Sequence, residues 1–181
     1  MKIFLLFLAL FFTSNFVHAQ KYSTGNAYIG FFSKTPLEDI RAENRQVRAV
    51  IELNKQQLAF TLLVKSFLFK KQLMQQHFNE NYAESDKYPK ADFSGIFTGN
   101  VNALQEGIYP IEVKGNLSFH GVTKSITVPA TVEIRSGKLT AVSNFKLKPQ
   151  DFNIKIPSVV RDKIAEQIDV SVKAEFLLKE L

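Results

Sequence analysis

The stretch from Gly115 to Ile134 constrains the fold more than any other part of this sequence. Both halves alternate between apolar and polar residues, which is typical of β-strands with one buried face. Between the halves, Gly121 can adopt the positive φ that a tight turn requires. The sequence therefore predicts a long β-hairpin with one apolar face.

The same period-two alternation recurs along the chain, and eight strands are expected. They lie near residues 27–33, 46–53, 58–64, 91–97, 109–119, 126–134, 139–147 and 170–178. Helical spacing of apolar residues predicts a helix over 70–79, and a second short helix is expected within 158–166. A two-sheet sandwich shares this periodicity, but runs of ten or more residues favour tilted barrel strands. We therefore expect an all-β fold, an eight-stranded antiparallel β-barrel with one or two short helices.

The N-terminus has the pattern of a secretory signal peptide. Lys2 precedes the apolar run 3–12, and Val17 and Ala19 stand at positions −3 and −1 of a cleavage site. A membrane-spanning helix needs about 20 apolar residues, which this run does not reach. We expect a signal peptide over 1–19, a single domain over 20–181, and a periplasmic or secreted mature protein without a transmembrane segment.

Composition narrows the functional classes. The 181-residue chain has no cysteine, which excludes disulfides, cysteine nucleophiles and thiolate metal sites. Its formal net charge is +6, but the basic residues are scattered among acidic ones. Nucleic acid is not an expected partner of an exported barrel. The charge indicates either a solvated basic surface or transient contact with an anionic membrane surface.

Residues suited to catalysis are few. Beyond the signal peptide only His77 and His120 remain, and we expect His77 to pack or cap a helix and His120 to bond nearby backbone at its turn. A metal site would draw on Glu80, Glu84 and Asp86 near His77, at a spacing that is not specific. A catalytic site would require His77 with Glu84 or Asp86 in a cleft. There is no glycine-rich phosphate loop and no glycine-flanked serine nucleophile. The expected protein is therefore not an enzyme and has no catalytic residue, metal or cofactor.

Apolar bulk on the inward faces of the strands is the dominant feature. Strand parity places these residues in the barrel interior as candidate ligand contacts: Val47, Ile51, Phe60, Leu62, Phe93, Phe97, Leu117, Phe119, Val128, Ala141, Phe145, Val172 and Phe176. Eight strands enclose a space that is either packed by side chains or holds one slender ligand. Small residues on the same parity favour the hollow form: Ala49, Gly95, Ala130, Ala141, Ser143 and Ala174.

The hairpin also carries a family resemblance. The segment Gly115-x-Leu117-x-Phe119-His120-Gly121-Val122-Thr123-Lys124, followed by an alternating strand, resembles the signature of the YceI-like family. The segments 24–31, 77–93 and 151–157 are similar to that family's first strand, a loop before its fourth strand and a late crossover. The family consists of lipocalin-like barrels that bind polyisoprenoids and other long apolar molecules. The resemblance covers nearly the whole mature chain.

This resemblance implies a lipid-binding function. We expect an exported protein that holds an isoprenoid chain, such as a quinone tail or polyprenyl carrier, inside the barrel for storage or transport. The helix over 70–79 is expected to gate the mouth. The alternative is a secreted scaffold or stress-response protein whose packed barrel acts through its surface. No pattern in the sequence indicates an oligomeric state.

Overall fold

The computed structural model describes residues 21–177. The expected signal peptide over 1–19 lies outside the described residues. The strands are β1 (Lys21–Lys34), β2 (Asp39–Glu52), β3 (Gln57–Leu63), β4 (Leu68–Phe69), β5 (Lys90–Thr98), β6 (Gly107–Phe119), β7 (Val122–Arg135), β8 (Lys138–Leu147) and β9 (Ile168–Leu177). One short helix, α1 (Gln72–His77), continues into a π turn, Phe78–Tyr82, and three 3₁₀ turns span Val64–Ser66, Pro149–Phe152 and Ser158–Lys163.

Eight of these strands close into an antiparallel barrel. Their order is β1-β9-β8-β7-β6-β5-β3-β2, and pairing of β1 with β2 completes the ring. The two-residue strand β4 pairs with β2 at Ala42 and Glu43. The predicted all-β, eight-stranded antiparallel barrel is confirmed.

The predicted central hairpin is confirmed in full. β6 and β7 pair from Gly107 opposite Ile134 to Phe119 opposite Val122. The turn residues His120 and Gly121 both have positive φ, 49° and 73°. Two consecutive residues in this region form a tight turn whose twist matches that of the flanking strands.

The two ends of the barrel differ because both long helical connections lie at the same end. Residues 53–56, 99–106 and 136–137 connect strands at what we call the closed end. The barrel core near the closed end is tightly buried. Four of its residues are at most 3% exposed: Phe97, Val132, Ile134 and Leu139. The helical segments 64–89 and 148–167 lie at the opposite end, which we call the mouth.

Several predicted bounds were wrong. β2 begins at Asp39 rather than near 46, because its polar first half alternates only weakly. The helix expected over 70–79 is regular only from Gln72 to His77. The second expected helix is a 3₁₀ segment, Ser158–Lys163, and β4 was not predicted.

A β-bulge explains why strand parity fails along β2. Ile29 pairs with Asn44, but Ala27 pairs with Val47, so β2 contains one extra residue between these pairs. The bulge moves the inward face from even to odd positions, and both Asn44 and Val47 are fully buried.

Candidate functional site

A cavity of about 580 Å³ lies within the barrel and extends to the mouth. All eight barrel strands contribute lining residues. The lining is overwhelmingly apolar, and its charged members, Glu38, Lys71, Lys148 and Lys163, come from the connections at the mouth. A long apolar chain would therefore meet hydrocarbon along the barrel and charge only where the cavity opens.

Strand parity placed most of the predicted interior residues on this cavity. Eleven of the thirteen line it: Ile51, Phe60, Leu62, Phe93, Leu117, Phe119, Val128, Ala141, Phe145, Val172 and Phe176. Their role as ligand contacts stays a prediction, since the structure contains no ligand.

Val47 and Phe97 are buried in the core but do not line the cavity. Phe97 is 2% exposed near the closed end, where its amide donates to the carbonyl of Gln56 in the β2–β3 turn. Val47 is packed opposite Ala27 next to the bulge of β2. Parity identifies an inward side chain but not its height in the barrel or its distance from the lumen.

Small side chains make room along one wall. Ala130 of β7 and Ala141 and Ser143 of β8 line the cavity. Ala49 and Ala174, which were expected to leave room as well, are instead fully buried within the core. The small side chains that leave room in the cavity therefore lie on β7 and β8.

β7 and β8 also separate towards the mouth. Their pairing runs only from Arg135 opposite Lys138 to Thr131 opposite Val142, although both strands continue beyond that point. The next residue of β7 that would continue the hydrogen-bond ladder with β8 is Pro129, which has no N–H to donate. Its carbonyl accepts a hydrogen bond from the Ser143 hydroxyl at 2.7 Å, so this side of Pro129 faces β8. The proline thus ends the ladder and opens a fork in the barrel wall.

Gly115 leaves space for the Phe93 ring beside the backbone of β6. A Cβ on Gly115 of β6 would lie 2.5 Å from Cζ of Phe93 on β5. The Phe93 ring therefore occupies space that any other residue at position 115 would fill. This contact lets Phe93 line the cavity while lying close to the β6 backbone.

The mouth is covered on one side by α1 and the π turn. Phe78 packs against Phe31, Phe67 and Phe69, with ring centroids 5.5, 5.8 and 5.1 Å away. Phe31, Phe67, Phe69 and Phe78 all line the cavity, as do Leu73, Met74, His77 and Tyr82. Burial raises the pKa of the Tyr82 phenol. The helix predicted to gate the mouth lies at the mouth, but the aromatic cluster that anchors it was not predicted.

The other side of the mouth is held by a buried histidine. His120 is 8% exposed, and its Nδ1 lies 2.8 Å from the carbonyl oxygen of Phe152. Its Nε2 lies 2.7 Å from Oε2 of Glu84, and its ring packs edge-on against Tyr88. The expectation that His120 bonds nearby backbone was wrong, because the long connections at the mouth fold back over the hairpin turn.

These contacts also overturn the proposed catalytic grouping. Glu84 binds His120 rather than His77, and Asp86 forms an ion pair with Lys65. Among residues 21–177, no group of three or more His, Asp or Glu side chains is positioned to hold a metal ion. His77 itself lines the cavity at its mouth.

Within the same range, no helix is long and apolar enough to cross a membrane.

Several solved structures share this fold. A polyisoprenoid-binding domain from Saccharophagus degradans, implicated in plant cell wall breakdown, matches with a TM-score of 0.73 at 11% identity, over 88% of this chain and 98% of that one. BcnA of Burkholderia cenocepacia matches with a TM-score of 0.70 at 16% identity, over 82% and 95%. The YceI protein of Campylobacter jejuni matches with a TM-score of 0.62 at 20% identity, over 77% and 85%. At sequence identities of 20% or less, this structural similarity establishes the fold alone.

A comparison with curated proteins finds no match. The family model described as the YceI-like domain, however, matches residues 20–176. That range includes all eight barrel strands apart from the last residue of β9, together with the mouth segments. The chain therefore belongs to the YceI-like family.

Proposed function

We propose that this protein binds one long apolar chain, such as the isoprenoid tail of a quinone or a polyprenyl carrier, and shields it from water during storage or transport. The observation that carries the proposal is the apolar cavity of about 580 Å³ inside a YceI-like barrel. Its volume falls in the range of roughly 300–1,000 Å³ that small-molecule sites occupy. The name of the Saccharophagus relative supports an isoprenoid as the ligand class.

Burial of an apolar chain supplies enough free energy for this role. Removing several hundred Å² of apolar surface from water contributes on the order of 10 kcal/mol or more, at about 25 cal/mol per Å². Association and ordering oppose this by roughly 4–15 kcal/mol. Wherever the buried area outweighs these costs, a net affinity arises without a polar contact in the barrel, which fits a lining whose charged side chains are confined to the mouth.

The cavity argues against the alternative of a packed scaffold. In a packed barrel the inward aromatic side chains would fill the lumen, whereas here Phe60, Phe93, Phe119 and Phe145 surround an open space. The proposed role is binding rather than catalysis, because the lining within the barrel is almost entirely apolar and the carboxylates expected beside His77 are engaged elsewhere.

We further propose that the protein is exported and acts in the periplasm or outside the cell. The support is the signal-peptide pattern that ends at Ala19. Mass analysis of the N-terminus of protein from its native compartment should find Gln20 as the first residue. A retained Met1 on membrane-attached protein would contradict export.

An organic extract of the purified protein tests the binding function. Mass spectrometry of the extract should find a long-chain isoprenoid or similar apolar molecule in near-stoichiometric amount. Protein that carries no lipid and takes up none from polyprenol or quinone dispersions would contradict the proposal.

A further inference from the structure

The mouth of the barrel carries exposed apolar side chains on three separate segments. Leu37 is 67% exposed in the β1–β2 turn, Leu73 is 61% exposed on α1, and Val159 is 86% exposed on the 3₁₀ segment Ser158–Lys163. We call these three residues the mouth tips. Isolated exposed apolar residues are ordinary, so their common position is the informative feature.

Two contacts hold the three segments next to one another. Nζ of Lys71, just before α1, lies 2.9 Å from Oε1 of Glu38, which follows Leu37. The amide of Ala165, just after the 3₁₀ segment, donates to the Ser33 hydroxyl at the end of β1. The mouth tips therefore surround a single opening. Their neighbours Glu38, Lys71 and Val160 line the cavity, as Leu73 itself does.

Cations outnumber carboxylates around the tips. Residues 34–39, 70–73 and 158–163, together with Lys148, contain six Lys or Arg side chains and three carboxylates. Lys148 and Lys163 line the cavity opening, where the single acidic side chain, Glu38, is already paired with Lys71. The surface thus combines apolar tips with excess positive charge, the combination that favours an anionic lipid interface.

We propose that the mouth docks on an anionic lipid bilayer, with Leu37, Leu73 and Val159 entering the headgroup region. Docking would place the opening of the apolar cavity against the bilayer, so that a lipid chain passes into the barrel without crossing water. This inference rests on the proposed lipid-binding function, since it identifies where the ligand enters. The occupant is a lipid surface rather than a protein, because three separated tips around an opening form no continuous groove for a peptide.

Exposed apolar residues at the closed end provide a matched control. Leu104, Ile108 and Leu177 are 91%, 70% and 68% exposed there, and none of them lines the cavity. The test compares a mouth triple, Leu37→Ser/Leu73→Ser/Val159→Ser, with a control triple, Leu104→Ser/Ile108→Ser/Leu177→Ser. Both carry the same N-terminus as the wild type, so any contribution of that segment to vesicle binding cancels.

Co-sedimentation with vesicles of phosphatidylcholine, with and without phosphatidylglycerol, measures docking. We expect the wild type and the control triple to bind the anionic vesicles. The mouth triple should bind them at least about tenfold more weakly. Replacing Lys148, Arg161 and Lys163 with Gln should weaken binding roughly fivefold per cation and remove the preference for phosphatidylglycerol. Equal binding by the two triples, or no binding by the wild type, would overturn the docking surface.

The lipid content of the same preparations separates this inference from the proposed function. If the wild type contains extractable lipid but does not bind vesicles, the docking inference is overturned and the carrier function is not. Vesicle binding that depends on the mouth tips, without lipid in the extract and without uptake, would support docking and overturn the carrier function. Thermal melts of both triples show whether a lost interaction reflects a lost fold.

Discussion

Nε2 of His120 lies 2.7 Å from Oε2 of Glu84, a residue 36 positions earlier in the chain. On its other side, Nδ1 of His120 lies 2.8 Å from the carbonyl oxygen of Phe152. One buried ring thus connects the turn of the central hairpin to both long connections at the mouth. We expect these contacts to hold the mouth in place.

Replacing His120 tests that role. His120→Phe should lower the free energy of unfolding by about 1–3 kcal/mol, because it leaves the Phe152 carbonyl without its partner in a buried site. Hydrogen exchange should also become faster in residues 83–88 and 149–154. Glu84→Gln, which keeps an acceptor oxygen near Nε2, serves as the milder control. Unchanged exchange in both segments of His120→Phe would contradict the role.

Gly121 combines a positive φ with a close neighbour. Its φ is 73°, and a Cβ there would lie 2.6 Å from Cε1 of Tyr88. Gly137, in the β7–β8 turn, has a φ of 70°, and a Cβ there would have no neighbouring atom within 4 Å, so it reports backbone strain alone. Gly137→Val should cost about 1–3 kcal/mol of stability, and Gly121→Val should cost more. Equal losses in denaturant unfolding would show that the Tyr88 ring moves aside freely.

Pro129 should control the fork between β7 and β8. Pro129→Thr supplies the missing N–H, so the ladder is expected to extend towards the mouth. Amide exchange at Asn144, the next residue of β8 to face Pro129, should then slow, and release of a bound chain should slow with it. Pro110→Thr, a change in β6 near the closed end, should leave both rates unchanged. Unaltered exchange at Asn144 would mean that the proline is not what ends the ladder.

Glu52 should make stability depend on pH. The Lys55 ammonium, 2.8 Å from Oε2 of Glu52, lowers the pKa of that carboxyl below its usual 4.5, and Lys21 adds to the effect. A carboxyl whose pKa is depressed in the folded state stabilises the protein above its unfolded pKa and loses this contribution as pH falls through the folded pKa. Glu52→Gln should therefore be less stable than the wild type at neutral pH, with a gap that closes on acidification. A gap that stays constant from neutral to acid pH would contradict this assignment.

Local pattern, together with strand length, was sufficient to predict the barrel, and eleven of the thirteen residues that it placed inside line the cavity. Alternation is a property of each strand alone, so the inward faces of β6, β7 and β8 follow directly from sequence. It did not show that Val47 and Phe97, although inward, are buried in the core away from the cavity, because the height of a side chain in the barrel depends on the stagger of neighbouring strands.

Long-range contacts could not be predicted in this way. The pairing of His120 with Glu84 joins segments whose meeting depends on how the mouth connections fold back. The aromatic cluster around Phe78 likewise joins the π turn to β1, to β4 and to Phe67 just before β4. Pro129 could have been recognised from the sequence, because a proline within a strand indicates that pairing ends beside it, and the β7–β8 pairing does end there.

The central claim is that the lumen, rather than any polar cluster, binds the ligand. Ala141 lines the cavity on β8, and Asn144 on the same strand is exposed. Ala141→Trp should fill the lumen and exclude the chain while the fold persists, whereas Asn144→Trp adds the same bulk outside. In a lumen without spare room, Ala141→Trp would instead cost about 1–3 kcal/mol through overpacking.

Native mass spectrometry of these three proteins, paired with thermal melts, tests the claim most directly. We expect lipid-bound wild type, lipid-bound Asn144→Trp, and lipid-free Ala141→Trp that melts close to the apo wild type. A wild type without lipid, together with a strongly destabilised Ala141→Trp, would contradict the account.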